Sequence, residues 1–374
     1  MLIEENSKQR KNMKSKLYLL IVCCLLLTSM MLISCSKTTT NSPASSTTTK
    51  TSSSASSTTN SSSNTVTIGV TATITVEKYP AGLAYNSSQG EIFVINLGHS
   101  LQQSVISDTT HVVVPSTFSG YGCNLIAYDS GKKEYFVTSN SYYNGYVVSS
   151  TTNAQVATLT VPETEPYGPA GIAYDSGKSE IFIANSYSNT VKVISDSTNT
   201  VIATIPVGKS PAGVAYDSAK GEIFVTNSTD GTVSVISDST NAVIATVTVG
   251  LWPHSLAYDS GKGEIFVANG SDGTVSVISD SNNKVVATVT LPKASQPSAV
   301  AYDSGKGVIF IANPGTNSAP GSVSVISDST NAIIATVTVG TGPNAMVYDS
   351  GKGEVYVVNG ADGTVSVISD SSIK

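Results

Sequence analysis

Beyond residue 65 the apolar positions fall into short bursts separated by polar clusters. The segment 211–250, PAGVAYDSAKGEIFVTNSTDGTVSVISDSTNAVIATVTVG, shows the pattern in full. Gly213–Asp217, Glu222–Asn227, Thr232–Ser237 and Ala242–Val249 are rich in Val, Ile, Phe and Thr, the composition of half-buried and buried strands. Asp217-Ser218 with Gly221 predicts the first turn, and Asp230-Gly231 a two-residue hairpin turn. Asp238-Ser239-Thr240-Asn241 predicts a third turn, closed by side-chain-to-backbone hydrogen bonds. No 3.6-residue period occurs after residue 35, so helices are not expected there.

The same unit recurs. Copies start at Pro80, Cys123, Pro169, Pro211, Pro253, Pro297 and Pro343, and their tyrosines (Tyr85 to Tyr348) are 42 to 46 residues apart. Four antiparallel strands, labelled A to D, repeating at that interval predict an all-β fold: a seven-bladed β-propeller over residues 65–374. The seventh copy stops at Ser369-Asp370-Ser371-Ser372, where its strand D should begin. The missing strand stands before the first copy, as Val70-Thr71-Ala72-Thr73-Ile74-Thr75-Val76. The N-terminal strand is therefore expected to complete the last blade and shut the ring, removing two free sheet edges.

Phe224-Val225-Thr226-Asn227, Phe136-Val137-Thr138-Ser139 and Tyr356-Val357-Val358-Asn359 resemble the naming motif of the YVTN β-propeller repeat family, and the resemblance spans residues 70–370. It implies the propeller fold and the surface-layer type of exported protein. It implies no activity, since one such fold hosts many roles.

Composition divides the rest of the chain. Residues 17–33 carry no charge and follow a basic segment with Lys8, Arg10, Lys11, Lys14 and Lys16, so 1–35 reads as an export signal. Leu32-Ile33-Ser34-Cys35 resembles a lipoprotein lipobox, which would make Cys35 the lipidated N-terminus; an uncleaved membrane anchor is the alternative. Of the 29 residues 36–64, 21 are Ser or Thr, a composition that cannot bury enough apolar surface to fold. That segment is expected to be a disordered tether, about 30 Å from end to end on average. Localisation outside the cytoplasm follows from either reading of the N-terminus.

Removing the +3 of residues 1–35 from the total of −6 leaves −9 on the remainder, which has no Arg. Nucleic-acid binding is therefore not expected, and the bidentate clamp for phosphorylated ligands is missing. Cys123 is the one cysteine beyond Cys35, so no internal disulfide is expected.

Comparison among blades points to a candidate face. The A–B and C–D turns are nearly uniform, and Lys262 and Lys352 in them read as exposed side chains of small consequence. The B–C and D–A loops hold every insertion, as at 97–103, 139–145, 162–168 and 314–321. Trp252 and Tyr79 stand before the leading prolines of two blades, and Tyr121, Tyr142, Tyr143, Tyr146 and Tyr167 lie in other loops of this set. Asn124, His254 and Asn344 replace the usual Ala or Ser at the start of strand A, where they would border the channel mouth. Aromatics with a few amides suit a sugar, a peptide or a flat apolar group.

Chemistry-bearing residues are sparse. His99, His111 and His254 are dispersed, with no His-x-x-x-His, Cys-x-x-Cys-His or Gly-x-Ser-x-Gly motif, so neither cofactor nor metal is expected. The repeated Asp129, Asp175, Asp217, Asp259, Asp303 and Asp349 read as Asx turns, and the Asn ending strand B as a turn cap. The expectation is a monomeric, membrane-anchored surface propeller that binds a cell-envelope protein or glycan without catalysis. The alternative is an extracellular hydrolase or lyase, lactonase-like or streptogramin-lyase-like, with its site at the channel mouth.

Overall fold

The computed structural model describes residues 68–374, apart from 98–101, 140–143, 161–167, 293–294, 316–318 and 374. These residues form the seven-bladed β-propeller, each blade an antiparallel sheet of four strands with strand A innermost. In blade 4 the strands are Pro211–Asp217, Glu222–Asn227, Thr232–Ser237 and Ala242–Thr248. The outer strands of blades 2 and 3 are additionally joined by one parallel bridge, Thr160 to Thr200.

Burial explains the hydrophobic pattern. Strands B and C are sandwiched between neighbouring blades, so Glu222–Asn227 is buried at five consecutive positions and reads as an unbroken apolar run. Strand D lies outermost with one face in solvent, and in Thr200–Pro206 exposure alternates residue by residue. The third residue of strand B is an aromatic in every blade, from Phe93 and Phe136 round to Phe310 and Tyr356, and each is completely buried. Each contributes about 2 kcal/mol of burial. The naming motif thus marks core rather than site.

The ring closes through the N-terminus. Val70–Thr75 pairs antiparallel with Thr364–Ser369, setting Ile74 opposite Val365, and Thr71 Oγ1 donates to the Val367 carbonyl at 3.2 Å. Ile74 is buried with Val94, Tyr356 and Val367, so this strand joins core residues from the first and last blades.

Three local readings need correction. Strand A begins two residues earlier than expected, at Pro211, because a bulge after the proline lets it pair with Asn227. The B–C connection is a four-residue turn, not a two-residue hairpin. Asn227 pairs with Thr232, the amide of Gly231 donates back to the Asn227 carbonyl at 3.1 Å, and only Gly231 (φ 63°) is left-handed. The A–B and C–D turns share this geometry, with Gly221 (φ 65°) and Asn241 (φ 51°) in the fourth place. Gly and Asn recur there because they tolerate positive φ.

The third correction concerns the uniform turns. Lys262 Nζ donates to the Asp328 carbonyl of the next blade at 2.6 Å and lies 4.0 Å from its carboxylate. Lys132 does the same to Asp196 (2.7 and 3.1 Å), and Lys220 reaches Asp280. These three lysines are ties between blades, which gives the near-uniformity of their turns a physical cause. The repeated aspartates serve the same junctions. Oδ1 of Asp175 accepts from the amide of Gly177 at 2.7 Å, the expected Asx turn. The Tyr216 hydroxyl of the next blade leans over Gly177, 2.6 Å from where a Cβ would stand. Burial first, and then the Asp175 carboxylate, push that phenol well above its ordinary pKa. Oδ2 of Asp175 is buried on the same side of the junction. The Tyr85–Asp349 pair repeats it across the ring closure.

Candidate functional site

The D–A and B–C loops meet at one end of the propeller, where the Gly270 amide donates to the Trp252 carbonyl at 2.9 Å. The A–B and C–D turns meet at the other, through Asp196 N to Ser179 O at 3.2 Å. The residue before each leading proline turns the chain into strand A. It is left-handed in five blades: Tyr79 (φ 57°), Gly122 (65°), Ser210 (52°), Trp252 (57°) and Gly342 (67°). Its carbonyl caps the first amide of the B–C loop, as in Ser228 N to Ser210 O at 3.0 Å and Leu97 N to Tyr79 O at 2.9 Å. A left-handed L-residue costs roughly 1–2 kcal/mol, and glycine avoids that cost. Two blades nevertheless hold bulky aromatics there, and both side chains face solvent: Tyr79 is 60% and Trp252 53% exposed.

The structure brings Trp252 and His254 together. They line one depression of about 460 Å³ with Gly270, Ser271, Gln296 and Ser298. His254 Nδ1 lies 3.3 Å from the Ser298 carbonyl oxygen. A carbonyl only accepts, so Nδ1 carries the hydrogen of this contact. Gln296, Ser271 and Gly270 are the members that the sequence reading passed over. The signal was present in the repeat: blade 4 has Ser228 where blade 5 has Gly270.

The other nominated residues are dispersed. Asn124 is buried, its Nδ2 donating to the Pro169 carbonyl at 2.9 Å and its Oδ1 accepting from Thr138 at 2.9 Å. It ties blade 2 to blade 3, so its side-chain amide is engaged within the ring. Asn344 is exposed and directs Nδ2 towards the Pro80 carbonyl at 3.4 Å, and Ser298 Oγ donates to Pro343 O at 2.9 Å. At the start of strand A, blades 2, 5, 6 and 7 thus each reach the next blade through a polar side chain. Tyr79 belongs to blade 1, away from the Trp252 depression. Tyr142, Tyr143 and Tyr167 lie outside the described residues, as does Cys35. Tyr121 is about half exposed, whereas Tyr146 packs edge-on against Phe118 at 5.2 Å.

The central channel encloses about 230 Å³ and is walled by strand A, with Gly, Ala, Val, Leu, Ile and Met at most positions and His254, Ser255, Ser298 and Asn344 as its polar members. Among the described residues no group of three His, Cys, Asp or Glu could hold a metal ion. Cys123 is buried, and burial pushes its thiol up to about 12, far from a reactive thiolate. The Asn ending strand B does more than cap a turn. Asn269 Nδ2 donates to Thr274 Oγ1 at 3.0 Å and Ser276 Oγ at 2.9 Å, stitching B to C, and Asn227 does likewise. Both are completely buried, so their glycosylation sequons are enclosed.

No family model matches the chain, and no curated protein matches it by sequence. Among solved structures it is similar to a chain of the hydrazine synthase of Kuenenia stuttgartiensis. The TM-score is 0.68 at 16% identity, over 79% of this chain and 97% of that one. At that identity the likeness is one of fold.

Proposed function

We propose that the protein is exported, held at the membrane by lipid on Cys35, and acts as a non-enzymatic binding module. In this reading the D–A and B–C loop face engages a cell-envelope protein or glycan. The observation that carries the proposal is the pair of exposed aromatics, Tyr79 and Trp252, kept in left-handed corners that Gly122, Gly342 and Ser210 fill elsewhere in the ring. Glycine or serine serves the same corner in three other blades, and strain retained at an exposed position points to use. The charge-free stretch 17–33, Cys35 at its end and the Ser/Thr-rich tether support the anchoring half. The YVTN resemblance adds the precedent of exported surface propellers.

A screen of envelope proteins and glycans against the full chain, with the triple variant Trp252→Ala, Tyr79→Ala, His254→Ala, tests the binding half. The triple variant is expected to lose at least tenfold in affinity for whatever is captured. Unchanged affinity would remove this face from the reading. Cys35→Ser tests the anchor and is expected to move the protein out of the membrane fraction or block its processing.

A second reading rests on His254, which lines both the channel and the Trp252 depression. A hydrolase or lyase there would lose turnover in His254→Ala while keeping its affinity for substrate, which separates it from the binding module.

A further inference from the structure

Blade 5 combines two features that no other blade combines: a large aromatic in the left-handed corner and a glycine opening the B–C loop. Blade 4 shows what the ordinary arrangement does. Its corner residue is Ser210, and Ser228 opens the loop, donating its hydroxyl to the Pro253 carbonyl of the next blade at 2.7 Å. In blade 5 the corresponding residue is Gly270. A Cβ there would stand 3.5 Å from the Pro297 carbonyl oxygen and 3.7 Å from Cδ1 of Trp252. The missing side chain leaves a hollow between the indole and that carbonyl. Blade 7 also has a glycine at this position, Gly360, but its corner is Gly342 and the side-chain amide of Asn344 occupies the space.

The hollow has a definite chemistry. One wall is the exposed indole of Trp252, an apolar plane. Around it stand polar groups: the imidazole of His254, the residues Ser271 and Gln296, and the Pro297 carbonyl. Among the described residues no Lys, Asp or Glu lines it. Its volume of about 460 Å³ lies in the range of small-ligand sites. An apolar plane for the C–H face of a ring, ringed by donors and acceptors for hydroxyls, matches an uncharged pyranose. We propose that the Trp252–Gly270 hollow binds one or two residues of a neutral glycan. This deepens the binding-module reading and rests on it.

Trp252 is the only tryptophan in the chain, so emission excited at the red edge of its absorption, where tyrosine does not absorb, reports this site alone. Chitotriose, cellotriose and maltotriose are titrated into the full protein. At least one is expected to shift and change the emission saturably, with Kd of ~1 mM or below. Gly270→Ser rebuilds the blade 4 arrangement, placing a side chain between the indole and the Pro297 carbonyl and capping that carbonyl. It is expected to weaken that response at least tenfold with the melting temperature unchanged or raised. Trp252→Gly relieves the left-handed strain, so it should raise the melting temperature while abolishing retention on an affinity gel carrying the responding sugar.

Three results overturn the proposal. One is the absence of any saturable response to all three sugars. Another is a response that Gly270→Ser leaves intact. The third is a Trp252→Gly protein that melts below the wild type, which would make the indole a packing element. If the sugars fail while an envelope protein is captured through Trp252 and Tyr79, the glycan assignment falls and the binding-module reading stands. If nothing is captured through this face, both fall.

Discussion

Strand A sets how closely neighbouring blades approach at the channel wall, and a glycine series measures it. Gly82, Gly171 and Gly213 occupy the same position in blades 1, 3 and 4, and each lies against backbone of the following blade. A Cβ on Gly82 would stand 3.0 Å from the Asn124 carbonyl oxygen, with its next neighbour at 3.7 Å, so a shift of a few tenths of an ångström relieves it. On Gly213 it would stand 2.7 Å from both the His254 carbonyl oxygen and Cδ2 of Leu256, a spacing that real Cβ atoms do not adopt. On Gly171 it would overlap the Ala212 carbonyl oxygen outright, with Val214 Cγ2 3.0 Å away. The obstacle is backbone in all three, so no side chain can swing aside. Over-packing of this kind costs about 1–3 kcal/mol. We expect roughly 0.5–1 kcal/mol for Gly82→Ala, about 2 for Gly213→Ala, and 3 or more for Gly171→Ala. At about 2 °C per kcal/mol for a domain of this size, Gly171→Ala should melt roughly 6 °C lower. Gly69→Ala, with nothing within 4 Å of its Cβ, serves as the control and should be within ±0.5 kcal/mol of the wild type. Melting of the four variants by circular dichroism gives the ranking. If Gly171→Ala melts with the control, the innermost strands part freely and the channel wall is not close-packed.

Deleting residues 65–76 removes the strand that pairs with Thr364–Ser369 and exposes Val365 and Val367. It should cost several kcal/mol, comparable with the stability of a whole domain, and a deletion mutant melting cooperatively at the wild-type temperature would refute the closure. Burial raises the carboxyls of Glu91, Glu180, Glu222, Glu264 and Asp349, and it leads the causes for Asp328 and Asp370 as well. The folded chain therefore holds these protons more tightly than the unfolded one, so stability should rise as pH falls from neutral towards about 4. A melting temperature that drops steadily from pH 7 to pH 5 would contradict it. Lys262→Ala removes a charge-assisted bond across blades 5 and 6 that is partly exposed, and should cost about 0.5–1 kcal/mol by chemical denaturation. A loss indistinguishable from zero would return that lysine to the surface.

The sequence carried the architecture because a repeat states it seven times. Turn residues at fixed offsets mark strand ends, and the unbroken run of Ile223-Phe224-Val225 against the alternation of strand D separates sandwiched from outer strands. The displaced copy of strand D, Val70 to Val76, disclosed the closure without coordinates, since an unpaired strand at each end of a ring has only the other to pair with. The uniformity of the A–B and C–D turns was equally legible, but its cause was not. Lys262 meets Asp328 and Tyr216 meets the Asp175 turn across a blade boundary, and no local pattern states which residues face each other there. The same holds at the candidate site. Trp252 and His254 stand out as rare residue types, whereas the hollow beside them depends on the absence of a side chain at Gly270 opposite a carbonyl from the next blade. Asn124 and His254 hold equivalent places in their repeats, yet one is buried between Pro169 and Thr138 and the other reaches solvent. Periodicity determines which elements form and in what order. Contacts between blades, made by residues some 40 positions apart or at opposite ends of the chain, decide which of the repeated side chains are left for a partner.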